Sequence, residues 1–468
     1  MSEKIKNDQS KLDKIVALSK NRGFIFPGSE IYGGLANTWD YGPLGVELKN
    51  SIKREWWKFF VQEDKNAVGI DGGILMNPNV WVASGHVGGF SDPLKDCKSC
   101  KTRHRADNLI ANSPIGKKQS IDTDAMSTTQ MDEYVEANKI NCPHCGKSDW
   151  TQIRQFNLMF KTNRGVTDDS SSVVYLRPET AQAQFVNFQN LQRVSRLKLP
   201  FGVGQIGKAF RNEITPGNFT FRTVEFEQME YQYFTHASTS MDDYEMFKSR
   251  AMEFYIKRLG IEKKQLKFKD HGTALSHYAK AAVDAQYNFP FGFGEIGGTH
   301  HRGTFDLGNH QTHSGKNMEY VDPVTNEKYI PTVIESSHGC DRLVLAVLCN
   351  AYHEETLEGD DVRVVLKLKP CLAPYKVAVL PLQKKDLGEK SDEIFALLAK
   401  NFMTTYDETA SIGKRYRRQD EIGTPFCVTV DFETLEDDCV TIRYRDTMKQ
   451  ERVPIKKLVN HITKKLSK

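Results

Sequence analysis

Residues 210–230, near the middle of the chain, combine two strand-like stretches with a high density of charge. Pro216, Gly217 and Asn218 predict a turn between the two stretches. Side chains alternate along a strand, so Arg211 and Glu213 are expected on one face of the first strand. The corresponding face of the second strand carries Arg222, Phe226, Gln228 and Glu230. An apolar core does not use such a face, so the pattern predicts either a solvated hairpin or a site for a flat, charged ligand.

A second segment, residues 332–345, favours the ligand site. It reads as a strand that carries Glu335 and Ser337 on one face, breaks at Gly339 and continues as an apolar helix with Arg342 in its first turn. A helix N-terminus favours anions, and an arginine there adds a contact for phosphate. A salt bridge to a nearby carboxylate would explain the arginine equally well.

Glu295 and Glu179 lie in sequence patterns that are less specific for a ligand site. Glu295 lies in the glycine-rich segment 293–298, which is predicted as a flexible loop in which a carboxylate could bind Mg²⁺. Glu179 lies at the start of a predicted helix after Pro178, where an acid could simply offset the helix dipole. Neither pattern is specific alone.

The overall composition excludes several classes of protein. With 39% hydrophobic and 26% charged residues the chain fits a globular protein, and its 468 residues predict about three structural units. A net charge of +4 excludes a polycation, so any nucleic-acid contact must come from local basic clusters. No apolar run approaches the ~18 residues of a membrane span, and residues 1–10 lack the apolar stretch of a secretion signal. We therefore expect a cytoplasmic protein.

Four of the nine cysteines form two pairs, CxxC and CxxC, with 41 residues between them. The pairs are Cys97 with Cys100 and Cys142 with Cys145. Each pair can bring two thiolates to one tetrahedral ion, which predicts a structural zinc site. Four reduced cysteines without a metal are the alternative. Residues 91–155, which contain both pairs, are predicted to form an insertion.

The rest of the sequence predicts a long helix near the start of the chain, a linker and a separate C-terminal domain. A long helix with an aromatic-rich apolar face is predicted after Pro43, and a linker is predicted at residues 367–374, which contain two prolines. The tail predicts strands at 377–380 and 426–431, helices at 391–402, 414–422 and 455–466, and a hairpin beginning at 441. This alternation is typical of a small α/β domain.

These segments together resemble the class II aminoacyl-tRNA synthetases and, within them, the single-chain glycyl-tRNA synthetases. The three ordered motifs of the class correspond to Gly42-Pro43 with the following helix, to residues 210–226, and to residues 339–342. Residues 177–182 match the glycine type. Where the family usually has proline after the third-motif glutamate, this chain has Ser336.

The resemblance implies an α+β fold, with an antiparallel sheet flanked by helices in residues 1–369 and an α/β anticodon-binding domain in residues 370–468. It implies a homodimer that activates glycine with ATP and Mg²⁺ and transfers the glycyl group to tRNA(Gly). The basic stretch 413–418 would belong to the RNA-binding tail. Two alternatives are a non-catalytic nucleic-acid-binding relative and a synthetase for another amino acid, such as threonine, proline or histidine.

The resemblance also assigns roles to single residues. Arg211 would hold the α-phosphate, Arg342 the γ-phosphate and Glu295 the Mg²⁺. The ATP site as a whole would comprise Arg211, Asn212, Glu213, Phe221, Arg222, Phe226, Glu295, Ile296, Gly339, Asp341 and Arg342. The glycine site would comprise Arg105, Glu179, Phe226, Gln228, Glu230, Glu335, Ser337 and Gly339. Three carboxylates that converge without a cation would repel one another until the ligand's ammonium binds.

Overall fold

A seven-stranded sheet forms the centre of the larger part of the chain. The computed structural model describes residues 2–123, 126–166, 172–213, 217–272 and 279–466. In chain order the strands of this sheet are β1 (Ala67–Gly69), β2 (Phe201–Phe210), β3 (Glu225–Thr235), β4 (Leu266–Asp270), β5 (Ala281–Phe289), β6 (Gly292–Gly303) and β7 (Thr332–Gly339). They run across the sheet in the order β4-β5-β6-β7-β3-β2-β1, and only β1 pairs in parallel. The antiparallel sheet implied by the resemblance is confirmed.

The central hairpin, β2 with β3, differs from the prediction at its tip. The paired region runs from Phe201 opposite Phe234 to Phe210 opposite Glu225. Arg211 and Glu213 therefore lie just beyond the first strand, and Arg222 lies just before the second, after a 3₁₀ turn. The predicted turn residue Pro216 lies outside the described residues. Arg211, Glu213 and Arg222 are thus carried by the strand ends and the connecting segment, whereas Phe226, Gln228 and Glu230 lie on β3 as predicted.

Helices cover the sheet. The predicted helix after Pro43 is present as Pro43–Trp57 and continues as a π-helical turn, Lys58–Gln62. Leu48, Ile52 and Trp56, at helical spacing, are fully buried. The other helices of this part include Ser2–Asn21, Ala181–Val186, Phe188–Ser195, Ser240–Glu253, Phe305–Ser314 and Cys340–Ala351. No helix in the described ranges is both long and apolar enough to cross a membrane.

Residues 91–155, predicted as an insertion, contain their own small sheet and core. The sheet pairs Ser91–Asp96 with both Arg103–Arg105 and Arg154–Asn157. Helices Ala106–Asn112, Pro114–Gln119 and Thr128–Ala137 surround it. Ile110 and Val135 are fully buried in a cluster that is separate from the main core.

The tail forms a five-stranded sheet with its own apolar core. Its strands are β8 (Val377–Pro381), β9 (Thr404–Tyr406), β10 (Phe426–Val430), β11 (Cys439–Tyr444) and β12 (Gln450–Pro454), in the order β9-β8-β10-β11-β12. β8 is parallel to both β9 and β10. Its helices are Lys384–Ala399, Ile412–Ile422, the single turn Thr434–Asp437 and Ile455–Leu466. The α/β architecture is as predicted, although the first helix begins at Lys384 rather than at Ser391.

A buried ionic cluster joins this tail to the preceding segment. Both carboxylate oxygens of Asp420 accept hydrogen bonds, Oδ2 from Nε of Arg363 at 2.8 Å and Oδ1 from Nη1 of Arg443 at 2.9 Å. Arg445 donates to the carbonyl oxygen of Leu368 at 2.7 Å. These contacts connect the tail to residues just before the predicted linker and to Leu368 within it.

Candidate active site

A cavity of about 340 Å³ is lined by residues of β3, β6 and β7. Nearly all of the residues that the sequence predicted for a nucleotide and a small amino acid meet here. They are Glu179, Arg211, Glu213, Phe221, Arg222, Phe226, Gln228, Glu230, Glu295, Ile296, Glu335, Ser337, Gly339, Asp341 and Arg342. The fold thus brings together segments that are far apart in the chain.

Two predicted site residues, Arg105 and Asn212, are not among the described residues that line this cavity. The guanidinium of Arg105 is engaged within the insertion, where it pairs with Asp92 at 3.1 Å and with Asp107. The backbone N–H of Asn212 donates to the carbonyl oxygen of Leu158 at 2.8 Å. Neither residue lines the cavity, although Arg105 lies near enough to the cavity residue Glu213 for that charge to contribute, together with Asp107 and Asp92, to the raised pKa of Arg105.

One end of the cavity holds three buried carboxyl groups, of which Glu335 has a strong cationic partner. Nη1 of Arg302 donates to its Oε2 at 2.8 Å, and Nδ1 of His300 lies 3.1 Å from the same oxygen. Burial opposes ionisation, but Arg302 and His300 outweigh it and lower the pKa of Glu335 to about 2. Arg302 also pairs with Asp306 at 2.7 Å. The carboxylates therefore do not converge without any cation, because Arg302 already pairs with Glu335.

Glu179 is held by a different set of groups. Nε2 of His86 lies 3.4 Å from its Oε2, and Nε2 of Gln182 donates to Oε1 at 2.8 Å. Burial would raise its pKa, but His86, Arg302 and the hydrogen bonds hold that pKa well below the usual range. Glu179 is therefore ionised in the cavity wall.

Glu230 differs from the other two. Its carboxyl group accepts hydrogen bonds from the hydroxyl groups of Thr180, at 2.5 Å, and Ser337, at 3.1 Å. It is only 2% exposed, and no ion pair involves it in the part of the chain that the structure describes. Burial and the neighbouring charges of Glu335 and Glu179 raise its pKa to about 8. This carboxyl group therefore lies beside two negative charges without an ion-pair partner among the described residues.

The other end of the cavity holds guanidinium groups and aromatic rings. Nη1 of Arg342 donates to Glu295 at 2.9 Å, and the Arg342 guanidinium lies 4.5 Å from the ring centre of Phe221. The Arg211 guanidinium lies 5.3 Å from the ring centre of Phe226, and its Nε donates to the carbonyl oxygen of Pro178 at 3.1 Å. Positive charge and flat apolar faces thus stand side by side, as a nucleotide requires.

Glu213 contributes an acceptor at this end. Its Oε2 is buried and accepts no hydrogen bond from any described residue. The closest cationic nitrogen is Nε of Arg222, at 4.0 Å. A buried acceptor without a donor is costly, so a ligand N–H group at this position would be strongly favoured.

Glu295 lies on strand β6, so the prediction of a flexible glycine-rich loop is wrong. The pairing of β6 with β5 slips at this point, since Glu295 faces Gln286 but Gly297 faces Ala285. This β-bulge at Ile296 reverses the alternation along the strand. Glu295 and the later residues His300 and Arg302 therefore all line the cavity.

Sequence reasoning missed several cavity residues besides His300 and Arg302. Asp284 on β5 is one, and burial followed by the charge of Glu295 raises its pKa. His271 lies 2.9 Å from Oδ1 of Asp284. The alternating polar residues of β5 were the available signal, but a half-exposed strand would carry the same pattern.

Asp341 lines the cavity, but protein groups engage both of its carboxylate oxygens. Oδ1 accepts from the hydroxyl of Tyr41 at 2.5 Å and from Nζ of Lys49 at 2.8 Å. Oδ2 accepts from the backbone N–H of Glu227 at 2.6 Å. Asp341 thereby fixes the start of helix Cys340–Ala351 against β3 and against the helix that follows Pro43.

The four cysteines of the two CxxC pairs converge in the insertion. Their sulfur atoms all lie within 4.8 Å of one another. Sγ of Cys97 lies 3.6 Å from that of Cys145, and Sγ of Cys100 lies 3.7 Å from that of Cys142. A tetrahedral ion with metal–sulfur bonds of about 2.3 Å requires sulfur–sulfur distances of about 3.8 Å. Hydrogen bonding with Thr102 lowers the pKa of Cys100 to about 5, so the cluster could hold a metal ion.

Comparison with known proteins matches this geometry to a family. Over 461 residues the chain is 59% identical to a glycine–tRNA ligase from Clostridium perfringens (strain 13 / Type A), which covers 97% of this chain and 98% of that protein. The chain belongs to the glycine–tRNA ligase family. Glycine–tRNA ligases from Alkaliphilus oremlandii (strain OhILAs) and Clostridium beijerinckii (strain ATCC 51743 / NCIMB 8052) are 56% and 58% identical, over 97% and 96% of this chain and 98% and 97% of those proteins.

A family model described as an anticodon binding domain matches residues 376–465. These residues include the whole five-stranded sheet of the tail and nearly all of its helices. The resemblance to the glycine–tRNA ligase family that the sequence motifs predicted is therefore confirmed for both parts of the chain.

Proposed function

We propose that this chain is a glycine–tRNA ligase, which first joins glycine to AMP and then transfers the glycyl group to the 3′ end of tRNA(Gly). A carboxylate oxygen of glycine attacks the α-phosphorus of ATP, and pyrophosphate leaves. A hydroxyl group of the terminal ribose then attacks the glycyl carbonyl carbon, and AMP leaves. Family membership supports this reaction. The charges that line the cavity support placing glycine at its carboxylate end and ATP at its guanidinium end.

The observation that carries the proposal is the isolation of Glu230. Glu335 and Glu179 have cationic or histidine partners, whereas the described residues offer the Glu230 carboxyl group only the hydroxyl groups of Thr180 and Ser337. The ammonium group of glycine would supply the missing cation. Since glycine has no side chain, its charged ends are the only groups by which a site can hold it, and larger amino acids must be rejected by lack of space.

The guanidinium end would hold ATP. Phosphoryl transfer depends mainly on alignment and on neutralising charge, which suits Arg211 at the α-phosphate and Arg342 at the γ-phosphate, with Arg222 beside them. Phe226 would stack on the adenine ring. The unpaired Oε2 of Glu213 supports a contact with the adenine amino group.

Magnesium would bind at Glu295, with Asp284 close by. The raised pKa of Asp284 is partly caused by the charge of Glu295, which indicates that the two carboxylates lie near each other. Mg²⁺ prefers such oxygen ligands together with phosphate oxygens, and it would neutralise the charge of the pyrophosphate. Arg342, now paired with Glu295, would then be free to contact the γ-phosphate.

Zinc is proposed for the four-cysteine cluster. Four thiolates leave no open position on the ion, so its role would be to stabilise the insertion rather than to take part in the reaction. A cytoplasmic location forms part of the proposal, because this cluster requires reduced cysteines.

A homodimer is also proposed. Ile31, Tyr32 and Leu35 lie on the connection between strands Ile25–Pro27 and Trp39–Tyr41, and all three are largely exposed. Contiguous apolar surface of this kind is typical of contacts between proteins. We keep the proposed boundary between the catalytic part, residues 1–369, and the anticodon-binding part, residues 370–468.

The test is ATP–pyrophosphate exchange by the full-length protein with each of the twenty amino acids. We expect exchange with glycine, and none above background with threonine, proline or histidine. Exchange with one of those three would support a synthetase for another amino acid. No exchange with any amino acid would support the non-catalytic relative and would contradict the proposal.

A further inference from the structure

Residues 78–90 contact the wall of the cavity from outside, since none of these described residues lines it. They form two short helices, Pro78–Ala83 and His86–Gly89, and end at Phe90. Gly85 turns the chain between the helices with a φ of 81°, a conformation that is unfavourable for other residues. We call residues 78–90 the support segment. The sequence patterns assigned no role to it.

The two cavity residues that the support segment contacts, Glu179 and Arg211, lie outside regular structure. Glu179 precedes helix Ala181–Val186, and Arg211 follows strand β2. The repeating geometry of a helix or a sheet therefore places neither side chain. Nε of Arg211 donates to the carbonyl oxygen of Pro178 at 3.1 Å, which joins the two stretches. How both groups point into the cavity depends on further side-chain contacts.

His86 supplies such a contact to Glu179. Nε2 of His86 lies 3.4 Å from Oε2 of Glu179, and Nδ1 lies 2.8 Å from the hydroxyl oxygen of Ser84. The fully buried Trp81 packs edge-on against the imidazole, with 5.6 Å between the ring centres. Burial raises the pKa of Glu179, but His86 is the strongest of the groups that lower it. The imidazole is thus fixed on two sides and holds the carboxylate.

Phe90 supplies the corresponding contact to Arg211. The Arg211 guanidinium lies 5.3 Å from the ring centre of Phe90 and also 5.3 Å from that of Phe226. Aromatic rings attract a guanidinium group and restrict its orientation. These contacts use none of its N–H groups, so that its Nη groups can bind a phosphate. The rings of His86 and Phe90 also pack together, with 5.4 Å between their centres.

Hydrogen bonds anchor the support segment to the rest of the fold. Nδ2 of Asn157 donates to the carbonyl oxygen of Val87 at 3.0 Å. The backbone N–H of Leu158 donates to the carbonyl oxygen of Phe90 at 3.0 Å, and the carbonyl oxygen of Leu158 accepts from the N–H of Asn212 at 2.8 Å. The support segment therefore has a fixed position relative to the end of β2.

We propose that the support segment orients one binding group at each end of the cavity. His86 orients the Glu179 carboxylate toward the ammonium group of glycine. Phe90 keeps the Arg211 guanidinium aligned with the α-phosphate of ATP. His86 and Phe90 act through other side chains, so both are positioning residues. This inference rests on the proposed function, because it takes the occupants of the two ends to be glycine and ATP.

The test measures KM for glycine and KM for ATP separately in the exchange reaction of full-length variants. His86→Leu should raise KM for glycine about 10-fold and change KM for ATP less than about twofold. Phe90→Met nearly keeps the side-chain volume but removes the ring, and it should raise KM for ATP about fivefold with little change in KM for glycine. Two neighbouring substitutions should thus affect different substrates.

Conservative variants and a control separate positioning from loss of structure. His86→Gln retains an N–H donor near the position of Nε2 and should keep KM for glycine close to that of the unsubstituted protein. Phe90→Tyr retains the ring and should do the same for KM for ATP. Val82→Ala is the matched control, because Val82 belongs to the support segment but is 48% exposed. It should change neither constant.

A purely structural role would raise both constants together, without rescue by His86→Gln or Phe90→Tyr. A parallel rise of this kind, or unchanged constants in His86→Leu and Phe90→Met, would overturn the inference. If His86→Leu does not fold, Ser84→Ala decides, because it leaves the imidazole in place but removes the hydroxyl that orients it. An unchanged KM for glycine in that variant would overturn the role of His86. Phe90→Leu takes the place of Phe90→Met if the latter does not fold.

Binding of ATP in the absence of glycine, measured by calorimetry, gives a readout that does not depend on turnover. Kd for ATP should rise in Phe90→Met and stay unchanged in His86→Leu, and equal values in the two variants would overturn the inference. The proposed function fails on a different result, namely no exchange with glycine by the unsubstituted protein. If that exchange is normal and both variants keep its KM values, only the role of the support segment fails.

Discussion

Nζ of Lys49 lies 2.8 Å from Oδ1 of Asp341, and both side chains are buried. Lys49 belongs to the helix after Pro43, and Asp341 belongs to the first turn of helix Cys340–Ala351. The ion pair thus joins the helix of the first motif to the helix that carries Arg342. Arg342 is thus held in place partly through Lys49, which does not line the cavity.

Lys49→Met removes the cation and leaves the Asp341 carboxylate buried, which should lower the free energy of unfolding by about 3 kcal/mol. Chemical denaturation measures the change. Lys53→Met is the matched control, because Lys53 is more exposed and, among the described residues, pairs with Glu227 alone, and its cost should stay below about 1 kcal/mol. Equal losses in the two variants would contradict the role given to Lys49.

Glu230→Gln should weaken glycine binding far more than ATP binding. The amide keeps the shape of the side chain but cannot carry the charge that balances the ammonium group. We expect KM for glycine in the exchange reaction to rise at least about 10-fold, in line with the loss of a charged hydrogen bond, while KM for ATP changes little. A parallel rise in both constants would show that the glycine end of the cavity is wrongly assigned.

The raised pKa of Glu230 predicts a pH dependence of stability. In the folded protein this carboxyl group keeps its proton up to about pH 8, whereas the ordinary pKa of a glutamate is 4.5. The folded state therefore binds more protons between these two values, and the stability from this group falls as pH rises through about 8. Melting temperatures from pH 6 to 9 should fall less in Glu230→Gln than in the unsubstituted protein. Identical slopes would contradict the prediction.

Removing either phosphate-binding arginine should abolish activation of glycine. Arg211→Ala and Arg342→Ala each delete a positive charge aligned with the phosphates, and the exchange rate should fall at least about 100-fold. Binding of tRNA, measured by filter retention, should persist, because the tail is unchanged. Lys208→Ala is a suitable control, since Lys208 is exposed and pairs with Glu225 outside the cavity. Normal exchange in either arginine variant would refute its role.

Metal analysis of the purified protein should find about one zinc ion per chain. Cys100→Ser should lose the ion and lower the melting temperature, because the insertion depends on it. Cys439→Ser, outside the cluster, should keep the metal. A protein that folds fully and contains no zinc would leave the four cysteines as a reduced structural cluster.

Patterns along the sequence predicted the regular parts of the fold well. The terminal helix has the predicted bounds, Ile455–Leu466, because its apolar residues recur at helical spacing. The first tail helix was predicted to begin too late, since in its first two turns only Leu387 is buried and a charged run gives no periodic signal. Helix Pro43–Trp57 begins where proline favours a first turn.

The candidate site could be predicted only in part, for a physical reason. Alternation along β6 predicts that Glu295 shares a face with His301, but the bulge at Ile296 turns His300 and Arg302 toward the cavity instead. A bulge depends on the register with the neighbouring strand, which the sequence of β6 alone does not contain. The partner of Glu335, Arg302, was therefore missed, and Arg105, which was assigned to the glycine site, is not among the residues that line the cavity.

The ionic cluster around Asp420 limits how the protein can be divided. A fragment that ends near residue 369 would keep Arg363 with Glu355 but lose its buried partner Asp420, and the isolated tail would keep Asp420 with Arg443 but lose Arg363. Each fragment would also expose apolar surface that the other now covers. Truncation at this point would therefore yield two damaged proteins, so the tail is an integral part of the folded molecule and not a removable accessory.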